Sequence, residues 1–419
     1  MLANRSISKL ISRSLFFKAG NFWLKDFRRT DLIFRLFRYI PKILRTQLIE
    51  SYVKQAKENA IDRTVPERMT IFITNQCDMK CSHCFIVKEV QPEIRAMELG
   101  EYQKLFRSVR GRVSQILVTG GEPILRNDFT DIVVMAYVEG KISTANIFSN
   151  GLKNTKLIEC MENILQRCAI KLNFQTSIDG TESFHDFNRR VPGAFQSVLE
   201  SVKMVHNLSQ KYPGRIGRTI TATAISKQNF DSLAEICEVV TNTSAAPSFG
   251  FVRTSGDVFN LKDDYYKNEA MEPEAKKSDG SVKFSDKDYM QLEDMDKALN
   301  IINNKVWTKD LGRLSYNYNR VTMKAVRDIK ATGESPLTDE CRMGYDDLII
   351  FADGTVSRCE MLKPSANLRD YDFNLQDLLA SESWRNYLTE TAGCWCTHDC
   401  GIGVSMMKEE GLLKQLSSK

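Results

Sequence analysis

The chain has no apolar run of the roughly 18–20 residues needed to cross a bilayer, and no secretory signal peptide opens it. Strong charge of one sign is missing as well. A net charge of +5 over 419 residues does not by itself point to nucleic acid. Internal repeats and low-complexity tracts are absent. At 42% hydrophobic and 26% charged residues, the composition is that of an ordinary soluble protein with a sizeable core. The length allows one large domain with extensions, or two to three domains. What the chain does have is cysteine: eleven, an odd number, without the spacing of a small secreted disulfide scaffold. A reducing cytoplasm with thiolates bound to metal accounts for that usage.

The charge is unevenly spread. Residues 1–60 hold 13 Lys and Arg against 4 Asp and Glu, so the remaining 359 residues carry a net −4. In "DLIFRLFRYIP" the apolar residues Leu32, Ile33, Leu36, Phe37 and Ile40 recur at helical spacing, Arg35 and Arg38 lie opposite, and Pro41 ends the run. A second helix is expected from Lys42 to Ala60. Three readings of this basic, aromatic arm stay open. It lies on an anionic membrane surface, it docks on the protein body with its arginines in water, or it is an organelle transit peptide, since residues 1–25 contain no acid.

From Met69 onward short apolar strands alternate with amphipathic helices: "MTIFITN", "SQILVTGGEP", "STANIFSNG", "IKLNFQTSIDG" and "GRTITATAIS", each followed by a helical pattern. Five such repeats predict a parallel sheet with right-handed crossovers. "PSFGFVRTSG" supplies a sixth strand, giving an α/β fold built on a partial, TIM-like (β/α)6 barrel. The unusual residues (Cys77, Gly120 to Pro123, Ser149 to Gly151, Ser177 to Gly180) fall at the strand C-termini, the functional rim of such barrels. Residues 256–337 read as a charged insertion with a helical connector. "DDLIIFADGTVSRC" reads as a hairpin around Asp353-Gly354, and "LQDLLASESWRNYL" as a helix.

The stretch "ITNQCDMKCSHCFI" sets Cys77, Cys81 and Cys84 in a Cys-x3-Cys-x2-Cys loop after a strand. Soft thiolates in this arrangement suit a cubane iron–sulfur cluster, and three of them leave one iron without a protein ligand. The competing reading is zinc, which wants four protein ligands, with His83 as a candidate fourth. An exposed His83 is the preferred expectation. A second group of cysteines, Cys341, Cys359, Cys394, Cys396 and Cys400, falls within sixty residues near the C-terminus. Cys160, Cys168 and Cys237 share no motif and read as buried free thiols.

Cys77, Cys81 and Cys84 in this spacing, Phe85 directly after them, and "GGEP", "SNG" and "SIDG" at successive strand ends resemble the radical S-adenosylmethionine (SAM) superfamily. The resemblance implies that Cys77, Cys81 and Cys84 are catalytic residues holding a [4Fe–4S] cluster. It places Phe85 near the adenine of SAM, and Gly120, Gly121, Glu122 and Pro123 around the SAM amino group. In that role the glycines let backbone approach the ligand, and Glu122 accepts a charge-assisted hydrogen bond from the ammonium. It further implies contacts from Ser149, Asn150, Ser177 and Asp179, each of which also reads as part of a turn. A reduced cluster would then cleave SAM to methionine and a 5′-deoxyadenosyl radical, which takes a hydrogen atom from the substrate. "FHDFNRRVPGAF" resembles a segment common in this family. Arg189 or Arg253 could contact an anionic group, although surface salt bridges are the preferred role.

Cys341-x17-Cys359, with Gly354 separated from Cys359 by four residues, and Cys396-x3-Cys400 resemble the SPASM and twitch modules of the same family, which hold auxiliary clusters. The shortened set implies one auxiliary [4Fe–4S] cluster on Cys341, Cys359 and Cys400, with Cys394 and Cys396 competing for the fourth place. The expected organisation is a basic helical arm (1–64), a radical SAM core (65–255), the insertion and connector (256–337), a small α+β auxiliary-cluster domain (338–405) and a tail (406–419). Implied partners are an electron donor such as flavodoxin or ferredoxin, a substrate, and a peripheral membrane contact through residues 1–60. Nucleic acid is not expected, and the expected location is cytoplasmic, with a peripheral position at the inner face of the membrane left open. Because the arm does not resemble the winged-helix domain of peptide-modifying members, a small-molecule, glycan or lipid-linked substrate is favoured over a ribosomally made peptide. The competing class is a non-catalytic, zinc-stabilised binding protein.

Overall fold

Residues 50, 65–84, 95–253, 258–259, 289–310, 314–335, 337, 341–406 and 409 are described by the computed structural model. Phe85, nearly all of the basic arm, most of the charged insertion and nearly all of the tail lie outside the described residues.

Six strands, β1 (Arg68–Phe72), β2 (Gln115–Thr119), β3 (Thr144–Phe148), β4 (Lys171–Ser177), β5 (Ile216–Ile225) and β6 (Ala246–Phe251), pair in sequence order and in parallel. Helices α1 (Leu99–Ser108), α2 (Phe129–Val138), α3 (Asn154–Arg167), α4 (Glu182–Arg189), α5 (Ala194–Lys211) and α6 (Leu233–Thr241) fill the connections. Their apolar stripes explain why. Leu105, Phe106, Phe129, Leu157, Met161 and Ile164 bury against Ile116, Val118, Ala145, Ile147, Leu172 and Phe174. Those strand residues alternate with half-buried ones, as the two-residue period of a strand requires. The other face of the sheet is polar. Asn173 Nδ2 donates to Asn146 Oδ1 (2.9 Å) and Asn146 Nδ2 to the Ile116 carbonyl (3.1 Å), which links three strands across that face.

The sheet continues past β1. Strand β8 (Asp347–Ile350) pairs in parallel with β1, and β9 (Thr355–Ser357) and β10 (Ala366–Asn367) follow antiparallel. A buried ion pair marks the junction: Arg68 lies 2.7 Å from Asp347 Oδ2, which Thr70 Oγ1 also approaches. The expected hairpin is present, with Gly354 at φ +87°, a conformation that favours glycine, and Asp353 Oδ1 accepting from Thr355 N at 3.0 Å. A short ribbon of β7 (Val258–Phe259) and β11 (Trp395–Cys396) ties the chain after β6 to the last cysteines.

Among the described residues, helices α7 (Leu292–Lys305) and α8 (Leu314–Thr332) come next. Helix α7 was legible, whereas α8 was not singled out, because polar Asn317, Asn319 and Thr322 interrupt its buried face. Its Asn319 amide brackets one residue of the outer edge of β6, donating to Phe249 O (2.7 Å) and accepting from Phe249 N (3.0 Å). A side chain thus completes the pairing of an edge strand. The single helix expected after the hairpin is two, α9 (Leu375–Ala380) and α10 (Glu382–Glu390). Ser381 divides them in an extended conformation and caps the second by accepting from Trp384 N. Helix α11 (Asp399–Met406) packs on α8 and is largely buried. No helix among the described residues is long and apolar enough to cross a membrane.

Candidate active site and auxiliary cysteine site

The loop leaving β1 is gripped by the turn leaving β2. Gly121 N donates to Thr74 O (2.8 Å) and Glu122 N to Gln76 O (2.7 Å). A Cβ on Gly120, whose φ is +144°, would sit 2.3 Å from Thr74 O, and one on Gly121 2.2 Å from Gln76 O. The close approach that these glycines permit is therefore to the cysteine loop itself, a role their reading as a ligand cradle did not include. Pro123 opens a 3₁₀ turn, and the Glu122 carboxylate accepts from Ile124 N (3.3 Å) and from Asn150 N (2.6 Å). Glu122 is fully buried, which pushes its pKa up to about 7 against the pull of those hydrogen bonds. The carboxylate expected to receive an ammonium is thus already engaged by backbone, joining the β2 and β3 turns.

The sulfurs come next. Cys77, Cys81 and Cys84 pack in one patch with Met79, Leu152, Val191 and Ala194. Met79 N donates to Cys77 Sγ (3.4 Å), and Asn150 Nδ2 reaches Asp78 Oδ1 at 2.7 Å. Burial pushes the Cys77 thiol up to about 12 and raises Cys81, which Arg189 Nη1 approaches at 3.6 Å and partly offsets. Arg189 is buried, not a surface residue: its Nε donates to Asp179 Oδ2 at 2.7 Å. Burial pushes the Asp179 carboxyl up, but Arg189, His83 and His185 outweigh it and hold the pKa at about 2. His83 is half-buried rather than exposed. Its Nδ1 lies 2.9 Å from Asn188 Nδ2, and its Nε2 is 3.9 Å from Asp179. Ser177 ends β4, half-buried, at the same rim.

Four C-terminal cysteines, Cys341, Cys359, Cys394 and Cys396, line one apolar cavity enclosing about 500 Å³, part of it open to solvent, together with Met343, Met361, Leu362 and Ile402. Cys400 is not part of that lining. It sits beside Glu360 and His398, so the structure brings together a set that differs from the expected one by holding Cys394 and Cys396 and setting Cys400 apart. Met361 N donates to Cys359 Sγ (3.5 Å) and His398 N to Cys396 Sγ (3.3 Å), and burial raises both thiols. Of the three thiols expected to be buried and free, only Cys237 is fully buried; Cys160 and Cys168 are half-buried.

Spacing discriminates between metals. Zinc thiolates at about 2.3 Å from one ion stand about 3.8 Å apart. Among the described residues, the only set of three or more ligand atoms all within 4.8 Å of one another is Glu360, His398 and Cys400. Neither cysteine set converges on a single ion, and all-sulfur donors set wider apart suit a polynuclear iron–sulfur centre. The donor chemistry fits a cubane at both places. At the first, the backbone N–H of Met79 and the Arg189 guanidinium stand ready to offset its negative charge.

Comparison with known proteins agrees with this chemistry. The Radical SAM superfamily profile matches residues 71–240, the span from β1 to α6. The chain carries a radical SAM domain. Over 191 residues it is 25% identical to the sporulation killing factor maturation protein SkfB of Bacillus subtilis, covering 44% of this chain and 42% of that protein. Over 182 residues it is 25% identical to the pre-heme d1 synthase of Dinoroseobacter shibae, covering 42% of each. The chain therefore spans about two fifths of the length of the curated relatives it matches. The crystal structure of SuiB of Streptococcus suis bound to S-adenosylmethionine superposes with a TM-score of 0.52 at 12% identity, over 83% of this chain and 72% of that one. That likeness extends the shared fold beyond the radical SAM domain.

Sequence reasoning missed Asn188, Glu360 and His398. The last two had a visible signal, since each lies within two residues of a cysteine in "SRCEM" and "CWCTHDC".

Proposed function

We propose that the chain is a radical SAM oxidoreductase with two iron–sulfur sites: a [4Fe–4S] cluster on Cys77, Cys81 and Cys84, and an auxiliary [4Fe–4S] cluster on Cys341, Cys359, Cys394 and Cys396. The observation that carries the reading is the contrast in ligand number, three sulfurs at the strand rim and four around a cavity. When bound, the first cluster supplies the electron that splits SAM into methionine and a 5′-deoxyadenosyl radical, with flavodoxin or ferredoxin as reductant. The protein's own part is positional. The Gly120–Gly121 turn fixes the loop, Glu122 locks that turn to Ser149 and Asn150, and the buried Asp179–Arg189 pair stiffens the far side beside Cys81. Ser177 and Asn150 stand at the rim, where SAM and substrate meet. A site held this rigidly keeps a reactive radical on one hydrogen atom.

For the substrate, the basic amphipathic arm supports a small-molecule, glycan or lipid-linked compound met at an anionic membrane surface. The match to SkfB, named as a maturation protein, favours a second reading, modification of a ribosomally made peptide. Anaerobically reconstituted protein given SAM and dithionite should release 5′-deoxyadenosine, and the substrate should accelerate that release. Acceleration by a precursor peptide selects the second reading. Turnover of a lipid-linked substrate on anionic vesicles that is lost on deleting residues 1–60 selects the first. No release of 5′-deoxyadenosine from iron-loaded protein would contradict both.

A further inference from the structure

The chain leaves β1 near Ile73, carries Cys77, Cys81 and Cys84, and meets the core again at Met97, a fully buried residue just ahead of α1. One side chain holds both ends of that excursion. Arg126 Nη1 donates to Ile73 O at 2.8 Å, and Nη2 donates to Met97 O at 2.5 Å. The guanidinium is itself fixed. Its Nε and Nη2 donate to the two Asp128 carboxylate oxygens at 2.5 and 3.0 Å, and it lies 5.3 Å from the centroid of the Tyr102 ring. The Arg126 side chain is only 14% exposed. A planar fork of donors serves two carbonyls and a carboxylate in fixed directions, which an ammonium on a flexible stem does not.

The C-terminal strands hold the same returning segment from the other side. Met97 N donates to Ala352 O (2.7 Å), in the turn between β8 and β9. Arg369, in the 3₁₀ turn after β10, donates from Nη2 to Arg95 O (3.1 Å) and from Nη1 to the Glu101 carboxylate. Charge-assisted hydrogen bonds of this kind hold backbone carbonyls more firmly than neutral ones. Fixing the two ends of a loop removes conformations from everything between them, sulfurs included. Arg126 also belongs to the turn that grips the loop directly, three residues past Pro123, so one element both contacts the loop and fastens its ends.

We propose that Arg126 is a positioning residue for the open site. By holding Ile73 and Met97 at a fixed separation, it keeps Cys77, Cys81 and Cys84 in the arrangement that leaves one iron open to SAM. Arg369 does the same from the C-terminal strands, to a smaller extent. The part of the proposal that concerns SAM rests on the three-sulfur cluster reading above. The part that concerns the loop stands on the apoprotein alone.

Two measurements on the full chain test the two parts separately. In the apoprotein, alkylation by iodoacetamide is followed cysteine by cysteine by peptide mass mapping. Arg126→Met should speed alkylation of Cys81 about tenfold, and Arg369→Met about threefold, through easier local opening. Cys237, buried in α6, should react at its original rate in both. In reconstituted protein of matched iron content, the SAM dissociation constant is read from the SAM-induced change in the EPR of the reduced cluster. Arg126→Met should raise that constant about tenfold and leave the auxiliary signal as it was. Asn319→Ala, at the far edge of the sheet, controls for a general loss of stability and should move neither readout. An unchanged Cys81 rate in Arg126→Met, or an equal gain at Cys237, overturns the role in the loop. A faster Cys81 rate with an unchanged SAM constant overturns the positioning role. If Arg126→Met does not fold, the same outcomes in Arg369→Met decide instead. Iron-loaded parent protein that binds no SAM overturns the cluster reading, and the alkylation rates still decide the role of Arg126 in the loop.

Discussion

The two cysteine sites solve opposite problems with the same side chain. The loop at the end of β1 offers three sulfurs, and the turns around it are engaged in holding it: two backbone hydrogen bonds from the β2 turn, a glycine pair that tolerates no Cβ, and a buried Arg189 beside Cys81. The C-terminal cavity offers four sulfurs inside an apolar wall, with Cys400 displaced to a polar neighbourhood. On the cluster assignment proposed above, the difference teaches that an open coordination position demands more scaffolding than a closed one. Four thiolates would define their own cluster, whereas three would have to be fixed by backbone for the fourth corner to stay available to SAM.

The comparison can be broken most severely at the open site. Cys81→Ala should abolish release of 5′-deoxyadenosine, measured by chromatography after incubation with dithionite and SAM. Residual release would show that the loop does not hold the reacting cluster. Cys359→Ala should remove about half of the iron while leaving the cluster on the β1 loop and its uncoupled SAM cleavage. Iron analysis with EPR separates that outcome from loss of both clusters.

Smaller effects test the scaffolding. Arg189→Met leaves Asp179 buried without its main partner and should cost about 3–5 kcal/mol in denaturant unfolding of the apoprotein. A loss below 1 kcal/mol would mean that the pair contributes little. Glu122 has its pKa raised in the fold, from 4.5 to about 7. Its contribution is fully present below the unfolded value and is lost as pH rises through the folded one. Apoprotein stability should therefore fall by about 3 kcal/mol between pH 4.5 and 7, and Glu122→Gln should flatten that slope. At the far edge of the sheet, Asn319→Ala strips both backbone partners from Phe249 and should cost about 1–3 kcal/mol without changing iron content.

The barrel was legible because each strand is short, apolar on alternate positions and followed by a turn and an amphipathic helix. "STANIFSNG" and "IKLNFQTSIDG" are examples that became β3 and β4. The cysteine loop was legible because its spacing is local. Helix α8 was hidden because polar Asn317, Asn319 and Thr322 sit on its buried face, and the role of Gly120 and Gly121 by distance, since their partners Thr74 and Gln76 lie more than forty residues away. Arg189 read as a surface cation because sequence cannot show that Asp179 and Cys81 converge on it. Which of the five C-terminal cysteines line the cavity was not legible, because it depends on side-chain direction. Cys394, just before the ribbon strand Trp395–Cys396, and Cys396 within it both line the cavity, while Cys400, in the first turn of α11, does not.

EPR of the reduced protein with and without SAM tests the central claim, that the site with three sulfurs is open and the site with four is closed. The account predicts about eight irons per chain, two cluster signals, and a SAM-induced change in one of them, which disappears in Cys77→Ala protein and survives in Cys359→Ala. A colourless zinc protein, or a SAM-induced change that follows the Cys359 cluster, would contradict it.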